Sequence, residues 1–330
     1  MKKKILVLLA IFMANYSFAC DVCGCFMGIV PYDNQSSISF MHRYRVFNGY
    51  RTYQQHSTFF PAGAYKTNHG GHSTDSVITR NYSSKDFESF KVFELRIKYF
   101  FHQRWEVNAF ASIVNNKSKE DTVKLNHTGF ADPSVFIGYH LLQPKADQSI
   151  KQRLVLGLGI KIPSGNYYVR DENKVRLPFL MQPGTGSVDA FTYASYMLGY
   201  KKIGVSTTAN MKVNGSNFYH ERVGNSFTNF STVFYKFNTK NWSFIPSVNS
   251  YYEYTKGLFV KEKLTEGTEM NELMVGLGLD VFYKNFGLNC GFQKTIHQHF
   301  HENGLTSVGR IFASLTYNFS QRNYLIKSKV

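Results

Sequence analysis

The feature that most constrains this chain is its alternation of apolar and polar residues, which persists almost from end to end. In Lys91 to Phe101, the residues Phe93, Leu95, Ile97, Tyr99 and Phe101 interleave with Glu94, Arg96 and Lys98. Successive side chains of an extended backbone point to opposite sides, so such a segment has one greasy face and one charged face. Leu154, Leu156, Leu158, Ile160 and Ile162 alternate in the same way with Arg153, Gly157, Gly159 and Lys161. From Leu273 to Tyr283 an apolar set again faces Gly276, Gly278 and Asp280, and Ile311, Ala313, Leu315, Tyr317 and Phe319 close the series. After residue 19 no apolar run approaches the roughly 20 residues a membrane helix needs, which excludes an α-helical membrane protein.

A soluble sandwich also alternates, so the connections must decide. About twelve strand-like segments are predicted, near 36–48, 89–101, 104–115, 129–142, 151–162, 188–200, 203–214, 226–237, 242–254, 271–283, 286–297 and 308–319. The links 49–88, 116–128, 163–187, 215–225, 255–270 and 298–307 are long, and those between them, such as Lys201-Lys202 and Lys284-Asn285, are short. Long and short ends therefore segregate to opposite rims. This is the asymmetry of an all-β, up-and-down antiparallel transmembrane barrel, and an even strand count returns both termini to the periplasmic side. Aromatic residues at strand ends, among them Tyr99 to Phe101, Trp105, Tyr200, Trp242, Tyr251, Tyr252, Tyr317 and Phe319, suit the two membrane interfaces.

The N-terminus sets the compartment. Lys2, Lys3 and Lys4 precede the apolar run Ile5 to Met13 and a short polar region ending Ser17-Phe18-Ala19, the pattern of a secretory signal cleaved after Ala19. Bulky Phe18 departs from the pattern that would place a lipid on Cys20. The expected organisation is a signal peptide over 1–19, a cysteine-containing periplasmic leader over 20–35, a transmembrane barrel over 36–319 and a periplasmic tail over 320–330, in the bacterial outer membrane. The formal charge is +16, but the basic residues are dispersed and an exported chain rarely meets nucleic acid, so none is expected as a partner. Outer-membrane lipid and a small solute or metal-ion cargo are the partners this organisation implies.

The segment "GLGIKIPSGNYY", followed by "QPGTGSVDAFTYASY", is similar to an outer-membrane channel family named for phenol meta-pathway degradation genes. The shared pattern is a strand carrying Gly159 and Lys161, then Pro163 and Gly165, and a loop closing on Pro183, Gly184, Thr185, Gly186, Ser187 and Asp189. Upstream, "TGFADPSVFIGYHL" supplies the Gly-x-x-Asp pair Gly129 and Asp132. Val188 stands where an aromatic is usual, and the cysteine-rich start and histidine-rich loops lie outside the general pattern. The resemblance implies an exported barrel acting as a pore or transporter, with its cargo left open.

Read physically, the Pro-Gly-Thr-Gly-Ser run lacks the Lys-Ser/Thr ending and following helix of a phosphate cradle, and its glycines suit a tight bend. Gly157-x-Gly159 and Gly276-x-Gly278 lie inside alternating strands with no helix after them, so they are not dinucleotide fingerprints. Arg43, Arg45, Glu94, Arg96, Lys98, Arg153 and Lys161 fall in strands and are expected to line the lumen, either as rings selecting anions or paired with Glu94, Asp189 and Asp280. His42 and His140 are expected there as well.

Metal chemistry is suggested at both ends of the barrel. His69 and His72 lie in a long outer link, and His297, His299 and His301 alternate so that an extended backbone aims three imidazoles to one side. Neutral imidazoles suit copper or zinc. Cys20, Cys23 and Cys25 could hold the same ions as thiolates, while the oxidising periplasm favours a disulfide instead. Lone Cys290 reads as a small wall residue. No cofactor is required and no catalytic set is apparent: Ser187 and Asp189 with a distant histidine do not make a nucleophilic site. An adhesion or scaffold barrel and a barrel hydrolase are the alternatives to a channel.

Overall fold

The computed structural model describes residues 35–50, 86–120, 123–144, 148–172, 174–265, 268–300 and 305–319. The signal segment 1–19, Cys20, Cys23, Cys25, His69, His72, His301 and the tail 320–330 lie outside the described residues. No described helix is long and apolar enough to cross a membrane. The wall consists of twelve antiparallel strands: β1 (Ser36–Tyr50), β2 (Phe87–His102), β3 (Trp105–Glu120), β4 (in two segments, Val123–Phe130 and Ser134–Leu142), β5 (Ile150–Lys161), β6 (Asp189–Tyr200), β7 (Ile203–Asn214), β8 (Ser226–Tyr235), β9 (Trp242–Thr255), β10 (Met270–Tyr283), β11 (Phe286–Phe300) and β12 (Leu305–Phe319). Each strand pairs with its neighbours in sequence, and β1 pairs with β12 from Ser36↔Phe319 upward, closing the ring. Among the described residues, closure pairs each of the twelve strands on both sides over at least part of its length, as hydrocarbon requires.

The outward faces follow the predicted apolar sets. Phe40, Phe93, Leu158, Leu277, Phe292, Ile311 and Leu315 are exposed, while the inward Arg45, Glu106, His140, Glu253, Glu272 and Asp280 are buried. This inversion, greasy outside and charged inside, is that of a membrane barrel rather than of a sandwich. The short turns at 103–104, 201–202 and 284–285 share one rim with Ser36 and Phe319. Lys201 and Lys284 take the left-handed backbone such two-residue turns demand, with φ of 53° and 51°. An aromatic girdle rings this rim: Trp105 packs on Tyr139 at 4.8 Å, Trp242 on Tyr283 at 4.5 Å and Phe286 on Tyr317 at 5.1 Å.

Three features differ from expectation. The link 116–128 is mostly strand, because β3 and β4 run on as a hairpin paired from Ile113↔Phe130 to Glu120↔Val123. Above the membrane the outward face also meets water, so the alternation that marks a strand fades there. His127 therefore sits on β4 rather than in a loop, and Lys236 occupies the turn after β8 rather than a strand. Second, the upper segment of β4 has a ladder partner on one side only. Beside it, the β5–β6 loop over 162–188 supplies backbone contacts: Asn166 N–H donates to Phe130 O at 2.8 Å, and Phe130 N–H to Asn166 Oδ1 at 2.9 Å. Third, short strands Glu221–Val223, Leu258–Val260 and Lys263–Thr265 form a separate sheet at the outer end. Phe179, Val223 and Leu258 pack it against a 3-10 turn, Phe179–Met181, of the β5–β6 loop.

Candidate functional site: the lumen

Alternation sends every second side chain of each strand inward, and the lumen these residues build has three tiers. Around the outer ends of β4 to β7, Asp132 is the organising group. Its Oδ1 accepts from Gly165 N–H at 2.9 Å, and its Oδ2 accepts from Thr185 N–H at 2.8 Å, Thr185 Oγ1 at 3.0 Å and Lys161 Nζ at 3.0 Å. Lys161 also meets Asp189 at 2.8 Å, Asp189 meets Lys212 at 2.9 Å, and Ser187 Oγ donates to Asp189 Oδ1 at 2.8 Å. Asn116 Nδ2 reaches from β3 to the carbonyls of Met181 and Gln182 at 3.2 and 3.4 Å. The β5–β6 loop is thus pinned into the barrel mouth by buried polar groups, which are costly to leave unpaired.

Motif glycines make this possible. Gly186 has φ 69°, and Gly165 lies so close to the chain that a Cβ would stand 2.6 Å from the Ala131 carbonyl carbon. Pro183 packs over Gly129, where a Cβ would meet its ring at 2.7 Å. Pro163 follows the last wall residues, and Val188, at the aromatic position, is 60% exposed. Outside this network, Arg176 grips Glu221 in bidentate fashion at 2.8 and 2.7 Å, and Tyr168 stacks on Tyr219 at 5.2 Å. A hydrogen bond from Arg170 holds the exposed Tyr168 phenol below its usual range.

The middle tier crosses the barrel. Arg45 of β1 reaches Glu253 of β9 at 3.0 Å and also bonds Glu272 of β10. Arg310 stacks over the Tyr251 ring at 3.6 Å and donates from Nε to Gln293 Oε1 at 2.5 Å, and Gln293 bonds Asn249. Beneath them Met41, Phe230, Tyr251, Met274 and Phe312, from five different strands, form one apolar cluster. Phe136, Val155 and Tyr193 form another with Phe110 and Phe191. Tyr251, expected in an interfacial girdle, is instead 4% exposed and inward, because β9 turns that side of its alternation to the lumen.

Below these clusters lies a cavity of about 110 Å³. Phe110, Val155 and Phe230 bound it, and Arg96, Lys98, Arg153, Glu106, His140, Asp280 and several serine and threonine hydroxyls line it. Lys98 meets Glu106 at 3.0 Å, His140 Nε2 lies 2.8 Å from Glu106 Oε2, and Tyr193 Oη donates to Glu106 Oε1 at 3.3 Å. Arg96 pairs with Glu94, with Arg43 adding positive charge nearby.

All seven residues expected to line the lumen are placed on inward strand positions, and pairing with opposite charges, mostly within a strand or between neighbouring strands and across the barrel only at Arg45, dominates over a single-sign ring. Asp280 does not serve as a cation's partner among the described residues; it accepts from Asn289 Nδ2 at 2.6 Å. His42 faces outward, stacked on Phe93 at 4.4 Å, since β1 directs Met41 and Arg43 inward. Cys290 is a half-buried wall residue. Of the predicted histidine triplet, His297 is exposed on β11, beside a register shift at Leu273/Met274. Among the described residues no three His, Cys, Asp or Glu side chains come together as a metal-binding group. Sequence reasoning missed Asn116, Glu253 and Glu272; an acidic residue at an inward strand position was the available signal for the last two.

The described fold is similar to that of an outer membrane channel from Pseudomonas putida F1, with a TM-score of 0.58, 12% identity, 88% of this chain covered and 100% of that one. It is an outer-membrane β-barrel. The β domain of the Bordetella autotransporter BrkA (TM-score 0.47, 9% identity, 87% of this chain and 100% of that one) and the KdgM porin (0.41, 11%, 86% and 99%) align over similar lengths. No protein-family model matches the chain, and no curated protein does.

Proposed function

We propose that the protein is a channel or transporter carrying small solutes across the outer membrane, selective and gated rather than open. One observation carries this reading: a closed wall surrounds a polar cavity of about 110 Å³, lined by hydroxyls and charges of both signs. A barrel serving only as a scaffold has no need of such an interior. The clusters above the chamber and the pinned β5–β6 loop occlude it, so passage requires those groups to move. Liposome swelling and single-channel recordings of refolded protein, with small ions and aromatic solutes, test the proposal. Swelling equal to that of empty liposomes for every solute, by protein shown to be folded, favours a structural or adhesion barrel, and lipid hydrolysis by the same preparation favours an enzyme.

Soft-metal cargo is the finer form of this reading. It is supported by sequence placement alone, with Cys20, Cys23 and Cys25 at the periplasmic side and His69, His72, His297, His299 and His301 in or beside outer connections. Copper or zinc would be held there by thiolate and imidazole. Unchanged copper and zinc affinity after replacing His297, His299 and His301 by alanine would remove its outer half.

A further inference from the structure

The outward face of β2 to β4 changes character above the apolar belt. On β2 the series Phe101, Tyr99, Ile97, Leu95, Phe93 is followed by Lys91. On β3, Ile113 gives way to Asn115, Lys117 and Lys119, and on β4, Phe130 gives way to Thr128, Asn126 and Lys124. The register sets Lys91 against Asn115, Lys117 against Asn126 and Lys119 against Lys124, so four ammonium groups share one surface of three adjacent strands. Among the described residues, none of the four has a carboxylate partner. Like charges directly opposite on a ladder repel, and Lys119 opposite Lys124 is such a pair. Asn115 Nδ2 donates to Asn126 Oδ1 at 2.9 Å and to Thr128 Oγ1 at 2.7 Å, which marks this surface as polar.

The height of the column narrows its ligand. Six residues from Ile113 to Lys119, at about 3.3 Å each on strands tilted by about 40°, climb about 15 Å above the belt. A phospholipid headgroup layer is only about 5–8 Å deep. Anions matching the whole column must therefore be spread through a thicker layer. We propose that Lys91, Lys117, Lys119 and Lys124 bind the phosphates of a phosphorylated glycolipid of the outer leaflet, whose acyl chains lie on Phe93, Ile113 and Phe130. The lysines act as point charges that hold the lipid against the β2–β4 wall, independently of any solute passing through the lumen.

The test uses the folded full chain in detergent, with bisphosphorylated lipid A as probe and native mass spectrometry as readout. Replacing all four lysines by serine is compared with replacing Lys151, Lys201 and Lys284, at the opposite rim. A basic side chain near an anionic lipid surface contributes roughly fivefold in affinity, so losing four is expected to weaken binding by at least about twentyfold after screening. The opposite-rim variant should bind as the parent does, and dephosphorylated lipid A should bind the parent as weakly as bisphosphorylated lipid A binds the serine variant. If the quadruple variant fails to show the migration shift of a folded barrel, Lys119→Gln with Lys124→Gln is measured instead, and a loss of at least about fivefold is expected. Undiminished binding by the folded variant overturns the proposal, as does equal binding of phosphorylated and dephosphorylated probe.

Discussion

Replacing Asp132 by alanine should release the β5–β6 loop from the barrel mouth while leaving the wall intact. The carboxylate accepts from two backbone groups, Gly165 N–H and Thr185 N–H, and from two side chains, Thr185 Oγ1 and Lys161 Nζ. The side chains keep alternatives in the variant, because Lys161 retains Asp189 at 2.8 Å and Thr185 Oγ1 retains Ser187 at 2.9 Å. The two N–H groups lose their Asp132 acceptor. Each buried donor left unsatisfied costs about 1–3 kcal/mol, and water entering the alanine cavity brings the pair to the lower part of that range, about 2–4 kcal/mol. At 1.4 kcal/mol per factor of ten, the population with the loop undocked rises about 30-fold to about 700-fold. Limited proteolysis of folded protein in detergent reads this directly, with cleavage between residues 163 and 187 accelerating by a similar factor if opening precedes cleavage. Asp132→Asn keeps one acceptor oxygen and should fall between parent and alanine. An alanine variant cleaved in this loop no faster than the parent would refute the claim that Asp132 holds it.

Other expectations follow from the remaining tiers. Arg45→Ala removes the guanidinium shared by the buried Glu253 and Glu272 and should destabilise the barrel by about 3–5 kcal/mol, seen as a lower melting point of the slow-migrating form on gels; an unchanged melting point argues against the cross-barrel pair. Leu158→Arg, on a residue 68% exposed on the outer face, should cost about 2–4 kcal/mol of folding free energy in liposomes if it faces mid-bilayer, and a neutral result in urea titrations would place it elsewhere. Gly157→Val should impair refolding yield, because even a Cβ there would stand 1.9 Å from the Tyr193 ring; parental yield would mean that Tyr193 does not pack there.

The strands were legible where lipid imposes a rule on them. From Phe93 to Phe101 every outward residue must be apolar, so period and boundary appear together in the sequence. Beyond the hydrocarbon the rule lapses, which is why Asn116 to Glu120 read as a loop while forming strand. The lumen was legible by charge, since Arg45, Glu94 and Lys161 had no other place to go. It was illegible by apolar residues: Met41, Tyr251 and Met274 look like lipid-facing or interfacial side chains, and only the register assigns them inward. His42 misleads in the opposite sense, because a polar side chain on the outer face is tolerated once it stacks on Phe93 and points Nδ1 toward the Val92 carbonyl at 3.5 Å.

The apolar cluster inside the barrel joins Met41 of the first strand to Phe312 of the last, with Phe230, Tyr251 and Met274 supplied by strands between. Such a nucleus cannot assemble gradually during synthesis, since two of its contributors sit near opposite termini of the strand series. Consolidation of the interior must wait for the seam, and until then the chain remains a pliable curved sheet. Cohesion is therefore a late reward for zipping the ends together, so a chain cut short before β12 forfeits its centre as well as its margin.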